Sequence, residues 1–335
     1  MTLHLRSDWK RAFGEPVATC KIRQRNADFQ VVEQLGFALA GSGEHDYLRI
    51  EKDGANTAWV ARDLARHACV GISDVGFAGL KDRHAVTTQW FSVRRPAGNK
   101  ADWSMLELER VRVVQVGRHR RKLRRGAHIA NHFRIALRNL TETQGLRERL
   151  IKLRDAGVPN YFGEQRFGRD GANLSLARDL FAGRRLPRAA RSLALSAARS
   201  FLFNRILEDR VAEGTWNTLL PGDLASLDGS NSIFSVAKID DELRHRSAAL
   251  DIHPSGALWG IGGEASEREL SVVSAYPELA QGLENEAVQM ARRALRLAVR
   301  DLTWERAGET MWLEFSLTRG GYATAVLREI AAYSS

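Results

Sequence analysis

The stretch GVPNYFGEQRFG (157–168) divides the chain. Before it, short strand-like segments alternate with helical ones; after it, helical periods dominate. FQVVEQL (29–35), YLRIEK (47–52), TTQWFSV (87–93), RVRVVQVG (110–117) and HFRIALRNL (132–140) are rich in β-branched and aromatic residues, which suit a pleated, half-buried surface. NTAWVARDLARHA (56–68) has a helix start at Asn56 or Thr57 and apolar residues one turn apart at Val60 and Leu64. TQGLRERLIKLRDA (143–156) predicts a second helix. Beyond the break, helices are expected over 171–182 and 188–212, and turns without a long helix over 213–282. A further helix over 284–300, a strand at 311–318 and a last helix from about 322 to 332 complete the reading. The architecture this predicts is a mixed α and β body, interrupted by a more helical insertion and closed by the final segment.

Charge narrows what such a chain does. Its 335 residues can fill two cores, and a net charge of +10 is the usual footprint of an anionic partner, most often nucleic acid. GRHRRKLRRG (117–126) sets Arg118, Arg120, Arg121, Lys122, Arg124 and Arg125 between two glycines. Cations this dense repel one another, so a polyanion is their natural counterpart; the bland alternative is a solvated loop. GRRLPRAARS (183–192) is a second cluster, equally readable as an exposed helix start. Both suit phosphates rather than bases, supplying affinity and salt dependence. Aromatic Phe29, Phe133 and Tyr322 lie near basic residues or glycines, where a ring could stack on an extruded base; each reads singly as a core residue. No apolar run reaches the ~20 residues of a membrane-spanning helix, and MTLHLRSDWKRAFGEP lacks a leader's apolar stretch. Cys20 and Cys69 form neither a disulfide framework nor a zinc motif. A cytoplasmic protein is expected.

The chemistry-bearing stretch is GFAGLKDRHAVTTQWFSV (76–93). Asp82 sits there between Lys81 and Arg83, in a loop marked by glycines. A free aspartate is ionised at neutral pH, and flanking cations favour that form further, which suits a nucleophile and not a general acid. Spacing alone fits a turn residue or cap with local ion pairs better.

This stretch closely resembles the signature of the tRNA pseudouridine synthase D (TruD) family, through Gly79, Leu80, Lys81, Asp82, Arg83, Thr87, Gln89, Phe91 and Ser92. GVPNYFGEQRFG resembles the family's other hallmark, at the start of its inserted domain. HPSGALWGIGG (253–263) and GGYATAVLREI (320–330) are weaker matches in the family's order. The resemblance implies an α+β fold: a catalytic domain of pseudouridine-synthase type, with a mixed β-sheet flanked by helices, formed by residues 1–156 and 300–335, and a largely helical α/β inserted TRUD domain over 157–299. It implies Asp82 as nucleophile and Phe29, Asn131, Phe133 and Tyr322 as substrate-binding residues. Tyr322 stands where the family often has phenylalanine, and its added hydroxyl needs a partner. Where the family has lysine, six residues before the first of these phenylalanines, this chain has Arg23. Arginine keeps the charge and could bind a carboxylate bidentately, but it is not equivalent to lysine.

The implied reaction isomerises a uridine, at tRNA position 13, to pseudouridine after flipping it from its stack. Nothing is oxidised and no group is lost, so no cofactor or metal is expected. GIGGEA (260–265) has no flanking strand and helix to make it a dinucleotide site. Attack at C6, attack at C1′ and removal of the C2′ proton are all open to Asp82. The expected partner is tRNA, with no membrane, no obligatory protein partner and a monomeric state. A non-catalytic RNA-binding or RNA-folding protein on the same scaffold would share the charge and the rings without requiring Asp82. A nuclease would need acidic or histidine clusters, and HIANH (128–132) has no adjacent acid.

Overall fold

The structure is a computed structural model that describes residues 9–95, 101–142, 144–230 and 232–334. Residues 1–8, part of the stretch read for a leader, lie outside the described residues, as does Thr143, at which an expected helix begins.

The period-2 segments form strands. In chain order they are β1 (Ala18–Lys21), β2 (Phe29–Leu35), β3 (His45–Asp53), helix α1 (Thr57–His67), β4 (Val75–Phe77), β5 (Val86–Arg94), β6 (Val111–His119) and β7 (His128–Glu142). Then follow α2 (Leu146–Ala156), β8 (Val158–Pro159), α3 (Ala172–Phe181), α4 (Arg188–Ala212), β9 (Leu224–Leu227), β10 (Ile233–Ser235), α5 (Asp241–Ala248), β11 (Ile252–Leu258), α6 (Glu267–Ser274) and α7 (Pro277–Asn285). The chain ends with β12 (Ala291–Ala294), β13 (Arg296–Leu297), β14 (Arg300–Ala307), β15 (Thr310–Thr318), α8 (Ala323–Ile330) and β16 (Ala331–Ser334). Among the described residues no helix is long and apolar enough to cross a membrane.

Residues 18–144, 300–320 and 331–335 make one compact unit. Its mixed sheet runs β14-β15-β7-β2-β5-β3-β6, with β4 on β5 and β1 joining β7 to β16. β2 and β5 are parallel, as are β1 and β16. Directly opposed residues share a face of a sheet, and so do residues two apart on a strand. The pairings Val31 with Phe133, Phe133 with Phe315, Glu33 with Asn131, Val31 with Thr87 and Thr87 with Lys52 therefore gather Phe29, Glu33, Lys52, Gln89, Asn131 and Phe133 on one face. Helix α1 starts where expected, with Asn56 Oδ1 accepting from the amides of Ala58 and Trp59 at 2.8 and 3.4 Å. Its Val60 and Leu64 are fully buried in one cluster with Leu48, Ile50 and Phe91, each such burial contributing roughly 2 kcal/mol.

Residues 1–17, 145–299 and 321–330 make the other unit. Its centre is α4, whose Ala194, Ala197, Ala198, Phe201 and Leu202 recur at helical spacing and are buried. A four-stranded sheet, β10-β9-β11-β12, and the pair β13-β8 accompany the helices. The division does not fall at residue 157. Arg149 of α2 explains the difference: its buried guanidinium donates to the carbonyls of Phe13, Glu15 and Glu329 at 2.6, 3.0 and 2.6 Å. One side chain thus ties together segments that local composition gives no reason to join.

The helix expected over 284–300 is absent. Residues 295–299 are buried, and β12 and β13 pair with β11 and β8, partners remote in sequence. Leu295, Leu297 and Val299 recur every second residue, a strand period hidden within an arginine-rich, alanine-containing run. The second basic cluster is partly engaged as well, since Arg184 pairs with Asp179 and Arg191 with Glu286.

Candidate active site

The segment between β4 and β5 carries Asp82, and it is tied down along its length. Gln89 Nε2 donates to the carbonyl of Gly79 at 3.2 Å. The amide of Lys81 donates at 3.2 Å to the hydroxyl of Thr57, which itself donates to Gln89 Oε1 at 2.9 Å. Lys81 Nζ reaches inward to Glu33 Oε2 at 2.7 Å, and Glu33 Oε1 accepts from the amide of Trp90 at 3.1 Å. Lys52 Nζ donates to the carbonyl of Ala55 at 2.7 Å and, at 3.5 Å, to that of Asp82. Gly76 of β4 lets the basic loop pack close: a Cβ there would stand 2.3 Å from the Leu123 carbonyl and 2.7 Å from Ser92 Oγ. Lys81 is therefore a buried anchor, its charge paired with Glu33.

Asp82 keeps 38% of its side chain exposed and pairs through Oδ2 with Arg23 Nη2 at 2.7 Å. Its Oδ1 has no hydrogen-bond partner among the described residues. Arg23 holds a left-handed backbone, φ 55°, which a non-glycine residue adopts at a cost of about 1 kcal/mol. Its guanidinium lies 4.2 Å from the centroid of the Phe29 ring. Phe29 meets Phe133 edge-on at 6.2 Å, and Phe133 stacks on Phe315 at 5.5 Å. Phe29 and Phe133 are only 2% and 7% exposed. Base stacking was the role expected of them; in this arrangement they form an apolar support beneath Arg23, because neither offers an open face.

Asn131 is buried opposite Glu33, and its side-chain oxygen finds no hydrogen bond among the described residues. Tyr322 belongs to the other unit. There its hydroxyl accepts from Arg166 Nη2 at 2.8 Å and its ring sits 6.2 Å from Phe162. The hydroxyl that departs from the common phenylalanine thus has its partner in GVPNYFGEQRFG. The structure brings Arg23, Asp82, Phe29, Phe133 and Asn131 onto one sheet face and associates Tyr322 with the second motif.

The basic loop closes against the same unit. Gly126 donates to the carbonyl of Ala78 at 2.7 Å, Tyr47 donates to that of Arg121 at 3.0 Å, and Leu123 is buried. Three of its six cations have internal duties. Arg118 donates to the Gly43 carbonyl at 2.5 Å, Lys122 donates to that of Ser73, and Arg125 stacks 3.8 Å over Phe77. Arg120, Arg121 and Arg124 are exposed and make no ion pair among the described residues.

Thr57, Glu33, Lys52 and His128 were not assigned to the site from sequence. His128 is buried beside Gly79; burial first, then the charge of Lys81, pushes its pKa down. Only the period of β2 and β3, which puts a carboxylate and an ammonium on an inward face, signals Glu33 and Lys52 in advance.

The family model for tRNA pseudouridine synthase D (TruD) matches residues 11–181 and 177–330. The chain belongs to the TruD family. A tRNA pseudouridine synthase D from Methylococcus capsulatus is 49% identical, the alignment covering 97% of this chain and 95% of that protein. One from Nitrosococcus oceani is 47% identical, covering 94% and 91%. A crystal structure from Methanosarcina mazei, provisionally named tRNA pseudouridine synthase D, shares the TruD fold with a TM-score of 0.70 at 22% identity, over 96% of this chain and 95% of that one. The α+β architecture agrees with that fold.

Burial pushes the Lys52 pKa down from 10.5 to about 8, the effect of Lys81 adding to it and that of Asp82 opposing it. Below pH 8 the folded chain carries the full cost of a buried ammonium. Between about pH 8 and 10.5 the folded state releases a proton that the unfolded state keeps, so stability rises across that window. Denaturant unfolding of the wild type should gain on Lys52→Met by about 3 kcal/mol over this range; parallel pH profiles would contradict the assignment.

Proposed function

We propose that this TruD protein isomerises a uridine of tRNA to pseudouridine, with Asp82 as nucleophile. The observation that carries the reading is the divided carboxylate. Oδ2 is held by Arg23 at 2.7 Å, while Oδ1 is unengaged, on a loop fixed to the sheet from below. A nucleophile needs one oxygen oriented and the other open. In the reaction the C1′–N1 bond breaks, the uracil turns and C5 bonds to C1′; the proton on C5 departs and N1 gains one. Oδ1 begins this sequence by adding to C6 or C1′, a bond that breaks again before the product leaves, or by taking the C2′ proton, which it returns once C5 has joined C1′.

The target base leaves its stack at a cost of a few kcal/mol. Phosphate contacts from the exposed Arg120, Arg121 and Arg124 offset that cost. Asn131, with its side-chain oxygen unbonded among the described residues, suits the uracil N3–H. Arg23 takes the family lysine's place and orients Asp82, and Tyr322 is assigned to substrate binding on the family resemblance alone. Uridine 13 is the position we assign, on the family resemblance. We assign the catalytic role to the sheet-bearing unit and the TRUD insertion to the helical one, the whole acting as a cytoplasmic monomer.

Asp82→Asn should abolish pseudouridine formation and leave tRNA affinity within a few-fold; normal turnover would remove Asp82 as nucleophile, and an inactive wild type would favour a non-catalytic RNA-binding role. Replacing Arg120, Arg121 and Arg124 together with alanine should flatten the salt dependence of tRNA binding by about 0.7–0.9 log units per lost phosphate contact. An unchanged slope would exclude this loop as a phosphate clamp.

A further inference from the structure

Leu80 is a large apolar side chain left 67% exposed, two residues before Asp82. The residue between them runs the other way: the Lys81 side chain is 7% exposed and ion-paired with Glu33. Along 80–82 the chain therefore points out, in, out, and Leu80 and Asp82 face solvent together. The backbone on both sides of Leu80 is held. The carbonyl before it is held by Gln89 and the amide after it by Thr57. Single exposed leucines are common on protein surfaces and need no function. This one is pinned on both sides, presented beside a carboxylate, on a loop whose preceding residue Ala78 is hydrogen-bonded to the end of a polycationic segment.

An apolar side chain on such a surface has one natural RNA counterpart, the faces of stacked bases, since phosphates and base edges want charge or hydrogen bonds. Leucine is among the side chains that enter nucleic-acid stacks as wedges. We propose that Leu80 is the wedge that fills the stack vacated by the target uridine, holding the base out against Asp82. The proposal rests on the reading of Asp82 as the group that meets a flipped uridine, and it adds the residue that keeps it flipped.

The test uses full-length protein and a tRNA transcript carrying 2-aminopurine beside the uridine that the enzyme converts, because this fluorophore brightens when unstacked. Leu80→Ala should unfold at the wild-type midpoint. It should lower the single-turnover rate by about tenfold or more and lose most of the fluorescence rise on binding. Leu80→Met, still apolar and long, should stay within about threefold of wild type in both readouts. Asp82→Asn should be inactive yet keep the rise, and Asp82→Asn with Leu80→Ala should lose it. A Leu80→Ala protein with wild-type rate and fluorescence overturns the wedge while leaving the nucleophile standing. So does one that loses tRNA affinity alone, which would make Leu80 an ordinary contact. An active Asp82→Asn protein overturns the underlying reading instead.

Discussion

The site is organised around the buried ion pair of Lys81 and Glu33. Burying two charges costs more than their attraction commonly returns, so this pair is poorly explained as a source of stability. Its geometry explains it better. By drawing Lys81 into the sheet, Glu33 turns both neighbours, Leu80 and Asp82, outward. Glu33 also accepts from the amide of Trp90, so the point that fixes the loop is itself fixed to the strand that follows the loop. The side chain next to the proposed nucleophile thus sets which way that nucleophile faces.

Most of the side chains around the Asp82 loop come from one face of one sheet. β2 supplies Phe29 and Glu33, β3 supplies Lys52, β5 supplies Gln89, and β7 supplies Asn131 and Phe133. The pleat gathers side chains from four strands without any loop having to find its own position, and α1 adds Thr57 at its first turn. Arg23 enters from outside the sheet through a left-handed residue, and this local strain is held by the Asp82 pair and the Phe29 ring. The basic loop is anchored by three of its own cations and leaves three others facing solvent. A rigid loop offering a few exposed guanidiniums loses less freedom on meeting a phosphate chain than a floppy loop with six would.

Much of this was legible in the sequence, for a physical reason. The strands at 29–35, 87–93 and 132–140 and the helices at 172–181 and 188–212 are specified by local period, whereas the loop motif is marked by its resemblance to the family signature. What escaped depended on partners far away in the chain. The strands at 291–294 and 296–297 are strands because β11 and β8 lie beside them, and arginine and alanine in the same run imitate a helix. Arg149 joins the N-terminal segment to α8 through carbonyls that no composition marks. Which face of the Phe29 and Phe133 rings is covered depends on Arg23 and Phe315, and so on register. The buried Lys52 and Glu33 were hidden because a charged residue within a strand reads as solvent-facing until the strand is paired on both sides.

The direct measurement of this organisation is a double-mutant cycle on Glu33→Gln and Lys81→Met, read as single-turnover pseudouridine formation with tRNA affinity measured alongside. If the ion pair acts as one unit to aim Asp82, each single change lowers the rate by about tenfold or more, affinity holds, and the double variant is no slower than the worse single. Losses that simply multiply, or single variants with full activity, would contradict it.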